Sequence, residues 1–131
     1  MAVDKIKLKI GSVEIGAGAP ISIQSMTNTK TDDTKATLNQ IEQLYKAGCE
    51  IIRVAVLNKN CAQALKEIVK YSPIPVVADI HFDYRLALIA LDNGINALRL
   101  NPGNIGNIEH TRRVVEKAKI SKTPIRIGVN A

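Results

Sequence analysis

Three arginines, an Asp-x-His pair and several side-chain amides fall within or just after short β-branched runs of this 131-residue sequence. Arg53 lies in Ile51-Ile-Arg-Val-Ala-Val56, and Asp79 and His81 end the run that starts at Pro75. Arg99 and Asn101 end the run from Ala97, Arg126 and Asn130 lie in the run from Ile125, and Gln24 lies in Ile21-Ser-Ile-Gln-Ser-Met26. Residues two apart in a strand share a face, so these side chains would converge if the runs are neighbouring strands. A guanidinium stays charged, and burying it unpaired is costly. Asp79 alone cannot neutralise Arg53, Arg99 and Arg126. The missing negative charge is expected to be a ligand, and planar bidentate arginine suits phosphate or diphosphate oxygens.

Asp79 and His81 would then reach one bound molecule, Asp79 accepting from a hydroxyl and His81 donating to an oxygen or moving a proton. A structural Asp79–Arg53 ion pair beside a hydrogen-bonded core histidine fits the same spacing. The Asp-x-His pair has no second histidine on the same face of a neighbouring strand, so no metal site is expected. Asn101-Pro-Gly-Asn-Ile-Gly106 could bring backbone N–H groups and a helix N-terminus to an anion, although Asn-Pro-Gly is first of all turn chemistry. Met26 suits barrel filling or ligand contact. His110, one turn into the next helix, is expected to face solvent.

The elements that must position these residues follow from periodicity. Between the runs, Leu38, Ile41, Leu44 and Tyr45 mark a first helix, with Asp32 or Asp33 near its N-cap and Gly48 past its end. Leu65, Ile68 and Val69 mark a second, stopped at Ser72-Pro73, and Ala87, Ala90 and Leu91 a third, from Asp83 to Asn93. Ile108, Val114, Val115 and Ala118 mark a fourth, which stops before Thr123-Pro124. Ahead of them, Ile6, Leu8 and Ile10 alternate with lysines and Val13-Glu-Ile15 follows Gly11-Ser12, which predicts a β-hairpin.

Strand and helix alternation requires parallel pairing through right-handed crossovers, so the class is α/β. An open doubly wound sheet covers both strand faces with helices and calls for apolar residues on both. The polar residues on one face favour instead a partial (β/α)8 TIM barrel, with about five parallel strands and four helices. Residues 1–20 are expected to form a hairpin cap and residues 21–131 the first part of a substrate-binding barrel.

Composition bounds the function. Hydrophobic residues make up 46% and charged residues 23%, which is ordinary globular usage. Eighteen Lys and Arg against twelve Asp and Glu give +6, consistent with an anionic partner. Three Tyr, one Phe and no Trp leave few stacking platforms, which disfavours single-stranded nucleic acid. With no run long enough for a membrane span and no visible export signal, a cytoplasmic protein is expected. Cys49 and Cys61 are then thiols, too far apart for C-x-x-C chemistry. Nucleotide-loop and elbow-serine motifs are absent from the sequence.

The segments Ile23-Gln-Ser-Met-Thr-Asn-Thr29, Ile52-Arg-Val-Ala55, Ala78-Asp-Ile-His-Phe82, Leu98-Arg-Leu-Asn-Pro-Gly-Asn104 and Ile127-Gly-Val-Asn-Ala131 occur in an order that closely resembles the 4-hydroxy-3-methylbut-2-enyl diphosphate synthase family. The resemblance implies a TIM barrel followed by a smaller iron-sulfur domain. It implies an oxidoreductase of the methylerythritol phosphate route to isoprenoids, which reductively opens 2-C-methyl-D-erythritol 2,4-cyclodiphosphate with two electrons delivered through a [4Fe-4S] cluster. By that likeness Arg53, Arg99 and Arg126 hold the diphosphate, with His81, Asn101 and Asn130 nearby, Asp79 placed for a hydroxyl, and Gln24 as a further contact. It also implies a flavodoxin, ferredoxin or similar donor, and a homodimer for the longer protein.

Cys49 and Cys61 match none of the family's cluster ligands, which the resemblance places downstream of Ala131. This chain alone is therefore expected to show no reductive activity. Two other readings remain open at this level: a pterin-synthase-like phosphate-ligand barrel, and a non-catalytic anion-binding module with a five-stranded sheet.

Overall fold

The structure is a computed structural model that describes residues 7–11, 13–16, 23–81, 83–101 and 108–127. The chain opens with an antiparallel pair, β1 (Lys7–Ile10) and β2 (Val13–Gly16), in which Ile10 faces Val13 across the turn. Gly11 makes that turn with φ +60, and a Cβ there would lie 2.7 Å from Pro75 Cγ, so both the backbone and the close approach require glycine. The predicted hairpin is present over these residues.

The main sheet has five parallel strands: β3 (Gln24–Met26), β4 (Ile51–Val56), β5 (Val76–Ile80), β6 (Ala97–Leu100) and β7 (Ile125–Ile127). They alternate with α1 (Thr34–Lys46), α2 (Lys59–Tyr71), α3 (Tyr84–Asp92) and α4 (Ile108–Ser121). Their order in the sheet is their order in the chain. Every crossover therefore advances in the same direction, and a constant right hand puts all the helices on one face. An open doubly wound sheet reverses direction and covers both faces; this one does not, and it is a partial (β/α)8 barrel.

Side-chain period two then sorts the strands. Ile52, Val54 and Val56 of β4, Val76, Ala78 and Ile80 of β5, and Leu98 and Leu100 of β6 enter the core beneath the helices. Against them pack Cys61, Ala62, Leu65 and Ile68 of α2, a stripe with helical spacing. Each fully buried Ile or Leu here contributes about 1.5–3 kcal/mol. Asn58 caps α2 by accepting from the Cys61 N–H at 2.9 Å, and Asp33 rather than Asp32 caps α1, accepting from Ala36 at 3.1 Å.

Tyr45 and Ile108 lie in the helices expected from periodicity, but off the buried faces of those helices. Tyr45 remains 48% exposed, because it lies in the last turn of α1 beside solvent. Ile108 is 82% exposed, since it sits about 80–120° around α4 from the buried Val114 and Ala118 stripe.

On the opposite face of the sheet, Ile51, Val77 and Ala97 form a smaller apolar group with Ile10 and Val13 of the hairpin. The hairpin thus covers the lower inner face, and the next inward residues along the strands are polar.

Candidate functional site

Strand register places the polar residues in two rows. Met26, Arg53, Val77 and Ala97 are successive partners from β3 to β6, and one step higher Ala55, Asp79, Arg99 and Arg126 are partners from β4 to β7. Asp79 and Arg99 therefore stand side by side, while Arg53 must reach diagonally from the row below.

Asp79 is the centre of the group and is 4% exposed. Its Oδ1 accepts from Arg99 Nη1 at 3.0 Å. Its Oδ2 lies 3.6 Å from Arg53 Nε and 3.5 Å from His81 Nε2. The first of these is an ion pair without a hydrogen bond: Arg53 Nε is buried and has no hydrogen-bond partner among the described residues. Arg53 Nη2 instead lies 3.5 Å from Met26 Sδ. The expected Asp79–Arg53 pair is thus secondary to Asp79–Arg99.

Below these groups is a cavity of about 300 Å³, whose walls include Ile10, Gln24, Arg53, Arg99 and Arg126. Arg126 makes no ion pair among the described residues and is exposed. Arg53 and Arg99 thus share one carboxylate, and Arg126 brings a third permanent charge to the cavity wall. The arrangement can take up an anion with little rearrangement, because Arg53 and Arg99 are already held and Arg126 is exposed on the cavity wall.

Of the residues singled out from sequence, Gln24, Arg53, Asp79, Arg99 and Arg126 come together on the inner face, and His81 joins through Asp79. Asn101 directly follows β6 in the phase of Arg99 and is half-buried. Asn130 and most of the Asn101–Gly106 loop lie outside the described residues. The expectation for His110 is overturned: its ring stacks on Tyr84 with centroids 4.0 Å apart and planes 13° from parallel. No sequence spacing signals this contact, because it joins two different helices.

The lip between β3 and α1 is tied down by short polar contacts. Thr31 donates to Ala55 O at 2.6 Å, Thr37 Oγ1 lies 2.8 Å from Thr29 Oγ1, and Asn28 and Gln40 bond reciprocally. These fix the loop that follows Met26.

The residues present do not fit an iron-sulfur cluster. Among the described residues no three His, Cys, Asp or Glu side chains come together to hold a metal. Cys49 and Cys61 are buried on the helix side, and Cys49 donates to Ile51 O at 3.1 Å.

The model of the GcpE TIM-barrel domain matches residues 5–131. The chain belongs to the GcpE TIM-barrel domain family. Curated relatives of this GcpE chain include proteins named 4-hydroxy-3-methylbut-2-en-1-yl diphosphate synthase (flavodoxin). That of Lawsonia intracellularis is 58% identical over 125 residues, covering 95% of this chain and 35% of the relative. That of Aquifex aeolicus is 54% identical over 125 residues with the same coverage, and that of Clostridium tetani is 56% identical over 128 residues, 98% of this chain and 37% of the relative. The chain thus spans about a third of the length of these relatives. A crystal structure of mandelate oxidase with benzoyl-formic acid superposes with a TM-score of 0.58 over 88% of this chain and 50% of that one, at 14% identity. That likeness shows the barrel fold alone. Among the described residues no helix is long and apolar enough to cross a membrane.

Proposed function

We propose that this GcpE chain is the N-terminal, substrate-binding part of a 4-hydroxy-3-methylbut-2-enyl diphosphate synthase, an iron-sulfur oxidoreductase acting on 2-C-methyl-D-erythritol 2,4-cyclodiphosphate. The supporting observation is the placement of Arg53, Arg99 and Arg126 around one cavity, with a single carboxylate, Asp79, shared by the first two. In this reading residues 1–20 are the cap of the barrel floor and residues 21–131 its first part.

Arg99 and Arg126 grip the diphosphate oxygens from adjacent strands, and Arg53 reaches them from the row below. Asp79 keeps Arg99 and Arg53 aimed and presents its remaining lone pairs to a hydroxyl of the carbon skeleton. His81, Asn101, Asn130 and Gln24 supply the surrounding contacts to the same molecule. The reaction overall is a two-electron reductive opening of the ring with loss of water. The [4Fe-4S] cluster, the later strands and the contacts for a flavodoxin, ferredoxin or similar donor belong in this reading to the rest of a longer, homodimeric protein. This chain alone then gives no turnover.

Calorimetric titration of the cyclic diphosphate into the chain tests the reading, with a pterin as the comparison ligand. Saturable binding of the diphosphate that is lost in Arg99→Ala and Arg126→Ala is expected. Pterin binding in its place, or no binding of the diphosphate, would overturn the assignment.

A further inference from the structure

The turn that carries His81 is held by more than its own strand. His81 N–H donates to Val56 O at 3.2 Å, and Asp83 N–H donates back to His81 O at 2.8 Å. Asp83 then caps α3 through the Arg85 N–H at 2.9 Å and grips the Arg85 guanidinium through both carboxylate oxygens. Immediately afterwards Tyr84 lies flat on His110 of α4, and its hydroxyl accepts from Arg113 Nη1 at 3.3 Å.

α3 and α4 are also joined at their other ends, where Lys117 Nζ meets Asp92 Oδ1 at 2.7 Å. The two junctions differ in what they touch. The ion pair lies at the far end of α3 from His81, whereas Tyr84 is three residues from His81. His110 lies in the first turn of the helix that follows Asn101 and its loop. One aromatic stack therefore connects the turn after β5 to the helix entered after β6.

We infer that Tyr84 and His110 are positioning residues, whose stacked rings hold the turn after β5 so that His81 stays within reach of Asp79. The inference deepens the reading of Asp79 and His81 as part of the diphosphate site and rests on it for its functional meaning. Neither ring lines the cavity. Their effect passes through the short covalent link from Tyr84 to His81 and through the hydrogen bond between Asp83 and His81.

Nuclear magnetic resonance of the chain without ligand tests this directly. In His110→Ala the His81 amide should exchange about three- to tenfold faster, the factor equivalent to loss of one aromatic stack, and the His81 imidazole signals should move. His110→Phe should restore both, since it keeps the flat ring. Lys117→Ala removes the other junction of the same helices and should leave the His81 signals in place. His110→Leu serves in place of His110→Ala should the smaller side chain unfold the protein.

Unchanged His81 signals in a folded His110→Ala or His110→Leu chain would overturn the inference, as would an equal response to Lys117→Ala. Titration with the cyclic diphosphate separates the two levels. A wild-type chain that fails to bind it defeats the functional reading, while the His81 signals still decide whether the stack positions the turn.

Discussion

Arg99 and Asp79 are register partners on adjacent strands, and Arg99 Nη1 donates to Asp79 Oδ1 at 3.0 Å. The pair is built into the sheet rather than assembled by flexible loops. Asp79 is nearly inaccessible, whereas the side chain of Arg99 is 24% exposed, so the carboxylate is enclosed while the guanidinium faces the cavity. Removing the carboxylate and removing a guanidinium should therefore have different consequences.

Asp79→Asn leaves Arg53 and Arg99 close together without a counter-charge. A loss of about 1–3 kcal/mol is expected in urea unfolding, below the full cost of a broken buried pair because both arginines reach solvent. Inorganic pyrophosphate should raise the unfolding midpoint of this variant. An unchanged midpoint in Asp79→Asn would show that the carboxylate does not organise the arginines.

Arg126→Ala should reduce pyrophosphate affinity about tenfold or more, the weight of a charge-assisted contact, with little change in stability, because Arg126 is exposed and makes no ion pair among the described residues. Arg99→Ala should lose affinity and stability together, since it strips Asp79 of its hydrogen bond. Isothermal titration beside thermal unfolding distinguishes the two, and equal stability losses would contradict the assigned geometry.

Gly11→Ala should destabilise the chain more than Gly94→Ala. Both glycines have positive φ, +60 and +80, but a Cβ at position 11 would meet Pro75 Cγ at 2.7 Å and one at position 94 meets nothing within 4 Å. The backbone cost is about 1–2 kcal/mol in each case, and the collision adds to it only at position 11. Paired denaturation curves measure the difference.

The carboxyl of Asp83 is held below its ordinary value by the Arg85 side-chain hydrogen bond first, then by the Arg85 backbone N–H. A depressed carboxyl stabilises the fold fully above its unfolded-state value of 3.8 and loses that contribution as pH falls through the folded value. Wild type should therefore lose stability relative to Asp83→Asn as pH falls below about 4, while the two run parallel above it. Asp83→Ala should in addition lose the cap, about 1 kcal/mol at neutral pH. Thermal unfolding at stepped pH checks both.

The site was readable where strand periodicity alone sets direction. Arg53, Asp79 and Arg99 share a face because side chains alternate, and the helices between the strands require parallel pairing. Register is not legible, because it depends on how neighbouring strands slide together: Arg53 is level with Val77 and reaches up to an ion pair with Asp79, while Arg99, level with Asp79, makes the hydrogen bond. The expectation that His110 faces solvent fails because its environment comes from α3, which helical spacing within α4 cannot reveal. Tyr45 and Ile108 show the converse limit, since apolar residues at helix ends extend past the surface that buries their neighbours.

The chain-order arrangement of the strands also bears on how the molecule forms. Each new βα unit finds its neighbour already made, so the sheet can grow from β3 to β7 in the order of synthesis without long-range searching. The hairpin cannot follow that schedule. Ile10 rests on Ile51, Val77 and Ala97, supplied by three successive strands, so the segment made before them can lock into place only after β6 has joined. The floor of the barrel is thus completed late by an early piece of chain, and its protection from solvent exchange should lag behind that of β4 and β5 during refolding.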